Sequence, residues 1–118
     1  MSEANKIPFN EWQKLDLRVG KIIKVDEIVG ADKLYKLEID LGKELGKRTL
    51  VAGLKSHYKK EKLKNHLCIV FINLEPRTLK GIESQGMILA AVNQDKDGKE
   101  HVQLLQPDDN IELGSKVR

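Results

Sequence analysis

The sequence predicts an all-β domain, a five-stranded Greek-key barrel with a short helix between the third and fourth strands. Three observations carry this expectation. Apolar and polar residues alternate over short stretches, the period of a half-buried strand. Six such stretches follow one another with turn residues between them, a pattern that suits a closed or nearly closed sheet. The lysine-rich stretch 56–65, poor in β-formers, falls after the third of them.

The elements follow in order. "PFNEWQKL" reads as a short N-terminal helix capped by Asn10, with Gln13 in the capping-box position. "LRVGKIIKVDEI" (17–28) is the first strand, with Leu17, Val19, Ile23 and Val25 on one face. Gly20 and Lys21 interrupt it, and a glycine inside a strand marks a bulge or sharp bend. "LYKLEIDL" (34–41) sets Tyr35, Leu37, Ile39 and Leu41 against Lys36, Glu38 and Asp40. "KRTLVAGL" (47–54) is the third strand, reached through the turn "GKELG". In "SHYKKEKLKN" (56–65), Tyr58 and Leu63 share one face of a short helix. "HLCIVFINL" (66–74) is a strand buried on both faces or nearly so. "GMILAAV" (86–92) is the fifth strand, and "HVQLLQ" (101–106) the sixth, after an Asp-Gly turn signal.

This order is the OB-fold pattern, which carries its binding loops between strands 1 and 2 and between strands 4 and 5. Here those loops are "VGADK" (29–33) and "EPRTLKGIESQ" (75–85). The second is far longer than a hairpin turn needs. Arg77 and Lys80 give it positive charge, Gly81 and Gly86 permit close backbone approach, and Ser84 and Gln85 supply donors and acceptors. Met87 follows at the strand mouth, where it can pack on a flat base. Lys33 belongs to the 1–2 loop, and Lys36 and Arg48 to the strands of the usual binding face. An ordinary solvated loop, with Met87 in the core, is the competing reading.

The totals bound the function. The chain has 118 residues, 40% hydrophobic and 33% charged, which suits one domain over 1–118 with a core at about 12–106 and an extension at 107–118. The net charge of +3 permits a polyanionic partner without demanding one. No run approaches the roughly 20 apolar residues of a membrane span. The opening "MSEANKIPFNEW" lacks the apolar core of a secretory signal. Cys68 is the one cysteine, expected in the core of a protein from a reducing compartment. The expected location is the cytoplasm, and the start at Met1 without a linker favours a separate polypeptide.

Other constellations carry weaker signals. "KSHYKKEKLK" (55–64), five lysines and one glutamate, is either a solvated helix face or an auxiliary phosphate-contacting patch. "NQDKDG" mimics the opening of a calcium loop, but the twelfth position is Leu104 where a bidentate glutamate is required, so a hairpin turn is expected. His57, His66 and His101 are scattered, and no metal site or cofactor is expected. There is no GxSxG, HExxH, Walker or GxGxxG motif, and no catalytic residue is expected.

Taken together, "DLRVGKI" (16–22), "GADKLYKLEIDLG" (30–42), "RTLVAGL" (48–54), "NLEPRTLKGIESQGMILAA" (73–91) and "ELGSKV" (112–117) resemble the tRNA-binding domain family. The resemblance runs from about residue 12 to the end. It implies an OB-fold that binds tRNA by shape and backbone and helps an aminoacyl-tRNA synthetase, methionyl foremost, as its beta subunit or a trans-acting cofactor. It also implies a homodimer for free-standing members, with the residues after the barrel at the interface. The family's "ADKL", "NLxPR" and "SxGM" motifs carry over as Lys33, Asn73, Arg77, Ser84 and Met87; charge and position add Lys36, Arg48, Lys80 and Gln85. The His-Pro that often precedes "ADKL" in the family is Val29-Gly30 here.

The residues favour folded RNA over single strands. Single-strand binders stack bases on exposed aromatics. Of the five aromatics here, Phe9, Trp12, Tyr35, Tyr58 and Phe71, Tyr35 points with Leu37 to the core and Phe71 lies in a buried run. Two alternatives share the scaffold: a peptide-binding export chaperone, a branch with the "RVGxI" start that typically lacks "SQGM", and a dimerisation or assembly module built on Ile111, Leu113 and Val117.

Overall fold

A computed structural model describes residues 5–118. Residues 1–4, on which the expectations of no secretory signal and of a start at Met1 partly rest, lie outside the described residues. Helix α1 (Phe9–Trp12) is capped by Pro8, whose carbonyl accepts the Glu11 N–H at 3.0 Å. Asn10 is therefore inside the helix and makes no side-chain cap, contrary to expectation. Proline's fixed φ sets the chain for helix entry one step earlier than the asparagine signal suggested.

The barrel is built from β1 (Leu17–Ile28), β2 (Ala31–Asp40), β3 (Lys47–Ala52), β4 (Leu67–Phe71) and a short β7 (Met87–Ile88), hydrogen-bonded in the order β3-β2-β1-β4-β7. All pairings are antiparallel. Between β4 and β7 lie β5 (Arg77–Leu79) and β6 (Ile82–Ser84), and the Gln85 N–H donates to Thr49 O at 2.9 Å, bringing this segment back beside β3. This is an all-β, OB-like barrel, as the sequence predicted. Helix α2 (Lys60–Leu63) sits between β3 and β4, and its Leu63 is fully buried against the barrel core. That single side chain anchors an otherwise polar turn, a contribution of roughly 1.5–3 kcal/mol.

The core contains Ile22, Tyr35, Leu37, Ile39, Leu50, Cys68 and Val70. In β1 the face assignment changes part-way. Leu17 and Val19 are buried, yet the core residue beyond them is Ile22, and Ile23 is only half-buried at a bulge between Ile22 and Lys24. Gly20 makes the switch possible: a Cβ there would stand 2.7 Å from Ile39 Cγ2 and 3.0 Å from Leu41 Cδ2. Inward at Gly20, β1 shows Leu17 and Val19 to its other side. There the C-terminal segment covers them, with β10 (Lys116–Val117) pairing Val117 opposite Leu17. The extension is thus an added strand of the sheet.

Two expected elements, one loop and one strand, differ in detail. The 1–2 connection is a tight turn of Val29 and Gly30, with Ile28 opposite Ala31 and Gly30 at φ +78°. The fifth strand, read as 86–92, divides at Leu89: β7 pairs with β4, while β8 (Ala90–Gln94) pairs with β9 (Glu100–Leu104) in a separate ribbon. The ribbon turns through Asp95, whose Oδ1 accepts the N–H groups of Asp97 and Lys99 at 2.9 and 3.0 Å. The calcium-like hexapeptide is thus a hairpin turn. Among the described residues no helix is long and apolar enough to cross a membrane, and no group of three or more His, Cys, Asp or Glu could hold a metal ion.

Candidate nucleic-acid interface

The long 4–5 connection, expected as a loop, is itself a β-hairpin arm. β5 and β6 pair Arg77 with Ser84, Thr78 with Glu83 and Leu79 with Ile82. The turn is Lys80-Gly81, with φ of +53° and +79°. Both turn residues have the positive φ of a type I′ turn, which matches the twist of its strands. Register sets its direction: Gln85 lies beside Thr49 and Ser84 beside Val51, so the arm tip points past the end of β3. Ala52 lies opposite Tyr35 of β2, so this is also the end that carries Lys33 and the Val29-Gly30 turn.

The nine residues proposed from sequence divide into two groups. Four hold the site together. The Ser84 hydroxyl is buried; it accepts the Val51 N–H at 3.0 Å and donates to Gly86 O at 3.1 Å. Gln85 Oε1 accepts the Thr49 N–H at 3.0 Å. Arg48 Nη1 donates to Ile72 O at 2.6 Å and to Gln85 O at 3.3 Å, so its guanidinium is engaged in clasping the arm's base to the end of β4. Asn73 Oδ1 accepts the Asp16 N–H at 2.8 Å and its Nδ2 donates to Lys14 O at 2.7 Å, tying the N-terminal segment to the start of the arm. The other five, Lys33, Lys36, Arg77, Lys80 and Met87, are exposed, with Met87 at 45%. They make no ion pair among the described residues.

Sequence reasoning missed a second layer at this end. The Lys55 N–H donates to Lys33 O at 3.3 Å, and Lys55 Nζ lies 2.7 Å from Glu27. Lys60 reaches the other Glu27 oxygen at 3.3 Å. The Glu27 carboxyl is held below its ordinary value, first by the hydrogen bond from Lys55 and then by that from Lys60. The Lys55 ammonium is correspondingly raised, chiefly by the same bond. One carboxylate shared by two lysines leaves this end of the barrel positive. Nothing in the local sequence pairs Glu27 with residues so far along the chain; only the fold does.

Stacking platforms stay scarce in three dimensions: among the five aromatics only Phe9 of α1, 69% exposed, stands open to solvent. Tyr35 is in the core with its hydroxyl donating to Tyr58 O at 2.9 Å. The Tyr58 hydroxyl accepts the Leu104 N–H at 3.1 Å, and its ring meets His66 edge-on. What this end of the barrel offers is cationic side chains on a rigidly held arm; the half-exposed Met87 lies elsewhere, pairing with Phe71 opposite Leu17 at the start of β1. Such a surface suits phosphate contacts and shape recognition.

Comparison with known proteins agrees with this chemistry. The family model described as "Putative tRNA binding domain" matches residues 17–116. A methionine–tRNA ligase of Pyrococcus horikoshii is 54% identical over 116 residues, covering 98% of this chain and 15% of that protein. One from Thermotoga maritima is 42% identical over 116 residues, covering 98% and 17% respectively. The chain therefore spans less than a fifth of the length of these relatives, 15% and 17%. Among solved structures, a MetRS-related protein from Pyrococcus horikoshii superposes with a TM-score of 0.84 at 30% identity, covering 97% of this chain and 99% of that one. The CsaA chaperone protein of Picrophilus torridus gives 0.83 at 34% identity, covering 96% and 100%. With its family model matched across nearly all of the barrel and the C-terminal strand, this chain belongs to the tRNA-binding domain family.

Proposed function

We propose that this chain binds structured tRNA by phosphate and shape contacts and assists an aminoacyl-tRNA synthetase, methionyl foremost, contributing no chemistry of its own. The observation that carries the reading is the braced arm. Arg77 and Lys80 are exposed on a hairpin whose base is fixed by Ser84, Gln85 and Arg48, on the barrel end that also bears Lys33. Preorganised cations lose little entropy on binding, and folded RNA presents phosphates at fixed spacing. The chain acts as the beta subunit of such a synthetase or in trans, and its place of action is the cytoplasm.

A homodimer completes this reading. Val19, Ile69, Leu105, Pro107, Ile111 and Val117 line an apolar groove beside β10, and Leu105 and Ile111 remain 46% and 51% exposed. A second copy covering this groove would remove that apolar surface from water. Sedimentation at micromolar concentration measures it; a monomer there removes the dimer from the proposal.

The likeness to the CsaA chaperone protein favours a second reading, in which the same groove holds an apolar peptide. The two readings separate in one experiment. Fluorescence anisotropy with an intact tRNA and with an unstructured RNA of equal length, across a salt series, is expected to show tighter binding of the tRNA with a steep salt slope. Equal binding of both RNAs would mark a generic polyanion binder. No binding at low salt would leave the peptide-binding reading.

A further inference from the structure

We propose that Lys59, Lys62 and Lys64 of the α2 segment form a second phosphate-contacting lobe, so that a double-helical RNA stem is gripped across the barrel end between the arm and α2. This rests on the tRNA-binding reading above and adds the class of RNA element and the residues that take its second strand.

The placement follows from connectivity. The arm lies beside β3, on the side away from β2. From β3 the sheet continues through β2 to β1, and α2 lies along β1, tied to Glu27 near its end by the Lys60 ion pair at 3.3 Å and to Ile22 O further back by the Asn65 N–H at 2.6 Å. The arm and the N-terminal end of α2 therefore flank the mouths of three adjacent strands, a separation on the order of 15 Å at the usual strand spacing, with Lys64 further back along β1. Between them lie Lys33 and the Lys55–Glu27–Lys60 bridge, where two lysines neutralise the Glu27 carboxylate, with the exposed Asp32 beside Lys33. The two lobes differ in shape, one a β-turn and one a helical turn, but each ends in exposed cations.

The lysines of α2 are available. Lys59, Lys62 and Lys64 are exposed and make no ion pair among the described residues, while Leu63 beneath them is fully buried and fixes the turn. Glu61 is the one acidic residue within 55–64. Cations left unpaired over a rigid anchor lose no internal salt bridge on meeting a phosphate. A duplex presents two phosphate backbones on either side of a shallow minor groove, and two separated cationic lobes match two backbones better than one extended strand.

The test uses the whole chain carrying Lys59→Gln, Lys62→Gln and Lys64→Gln together. A control triple, Lys47→Gln, Lys96→Gln and Lys99→Gln, removes the same charge from the opposite end of β3 and from the ribbon turn. Anisotropy is read with an intact tRNA, a short blunt RNA duplex and a single strand across a salt series. The α2 triple is expected to lose about tenfold or more in affinity for tRNA and duplex at low salt, and to flatten the log–log salt slope by roughly 2–2.7, the release expected of three phosphate contacts. The control triple is expected to stay close to wild type, and single-strand binding to change least. Equal losses in the two triples would overturn the proposal, as general charge would explain them. Unchanged tRNA binding in the α2 triple, with Arg77→Ala and Lys80→Ala still weakened, would overturn it while leaving the tRNA reading standing. Wild type that binds neither tRNA nor duplex would remove both.

Discussion

The Ser84 hydroxyl accepts the Val51 backbone N–H at 3.0 Å while only 6% of the serine is exposed. A strand of the barrel thus gives one of its own ladder donors to a side chain of the arm. Ser84→Ala would leave that N–H and Gly86 O short of a partner in a dry place, at a cost of about 1–3 kcal/mol. Urea unfolding should show the loss as a lower midpoint with an unchanged m-value, and amide exchange at Val51 should quicken. An unaltered Val51 exchange rate would mean that the arm is held by Gln85 and Arg48 without the serine.

Exposed and engaged cations of the site should behave differently. Lys33→Ala, Arg77→Ala and Lys80→Ala are each expected to weaken tRNA binding and to reduce the log–log salt slope by roughly 0.7–0.9, with the circular dichroism spectrum retained. Arg48→Ala should instead lower stability, because the carbonyls of Ile72 and Gln85 lose their shared donor. Its effect on tRNA affinity should come with a near-wild-type slope. A slope change at Arg48 equal to that at Arg77 would assign it a phosphate of its own.

The C-terminal strap locks through two glycines that face each other across it. A Cβ on Gly114 would stand 2.6 Å from Leu41 O, and one on Gly42 would stand 2.6 Å from Leu113 O, both at positive φ. Gly114→Ala is expected to cost on the order of 1–3 kcal/mol from backbone strain alone, with the carbonyl clash added. The strap should lift. Exchange at the Val19 N–H, which donates to Ser115 O at 2.9 Å, should rise before the rest of β1. Uniform protection across β1 in this variant would show that the strap tolerates the methyl group.

Cys68 sets an alkaline limit on the fold. Burial pushes its thiol from an ordinary 9.0 up to about 12. The native state therefore keeps a proton that the unfolded chain gives up, and stability falls as pH rises from about 9 to about 12. Below pH 9 this group has no effect on the balance. The folded protein should resist a thiol reagent at pH 8 and react fully once unfolded. Cys68→Ala should flatten the stability curve of that alkaline window, and a curve of unchanged slope would place the loss on other groups.

The sequence by itself determined the barrel. Alternation in 34–41 and 47–54 marked β2 and β3, and the lysine-rich stretch marked α2, because strand burial and helix anchoring leave a local period that needs no partner to be read. It also marked the cations of the arm and the family motifs. Tertiary structure decided what local pattern cannot carry. Whether "EPRTLKGIESQ" is a loop or an arm depended on the pairing of Arg77 with Ser84 and on the hold of β3 over both. The inward residue of β1 depended on the space beside Gly20, set by Ile39 and Leu41. The roles of Arg48, Asn73, Ser84 and Gln85 as braces depended on carbonyls and amides that are 24 to 59 residues away in the chain. A side chain's type states which bonds it can make; its partner is fixed only when the chain folds back and brings a complementary group within about 3 Å.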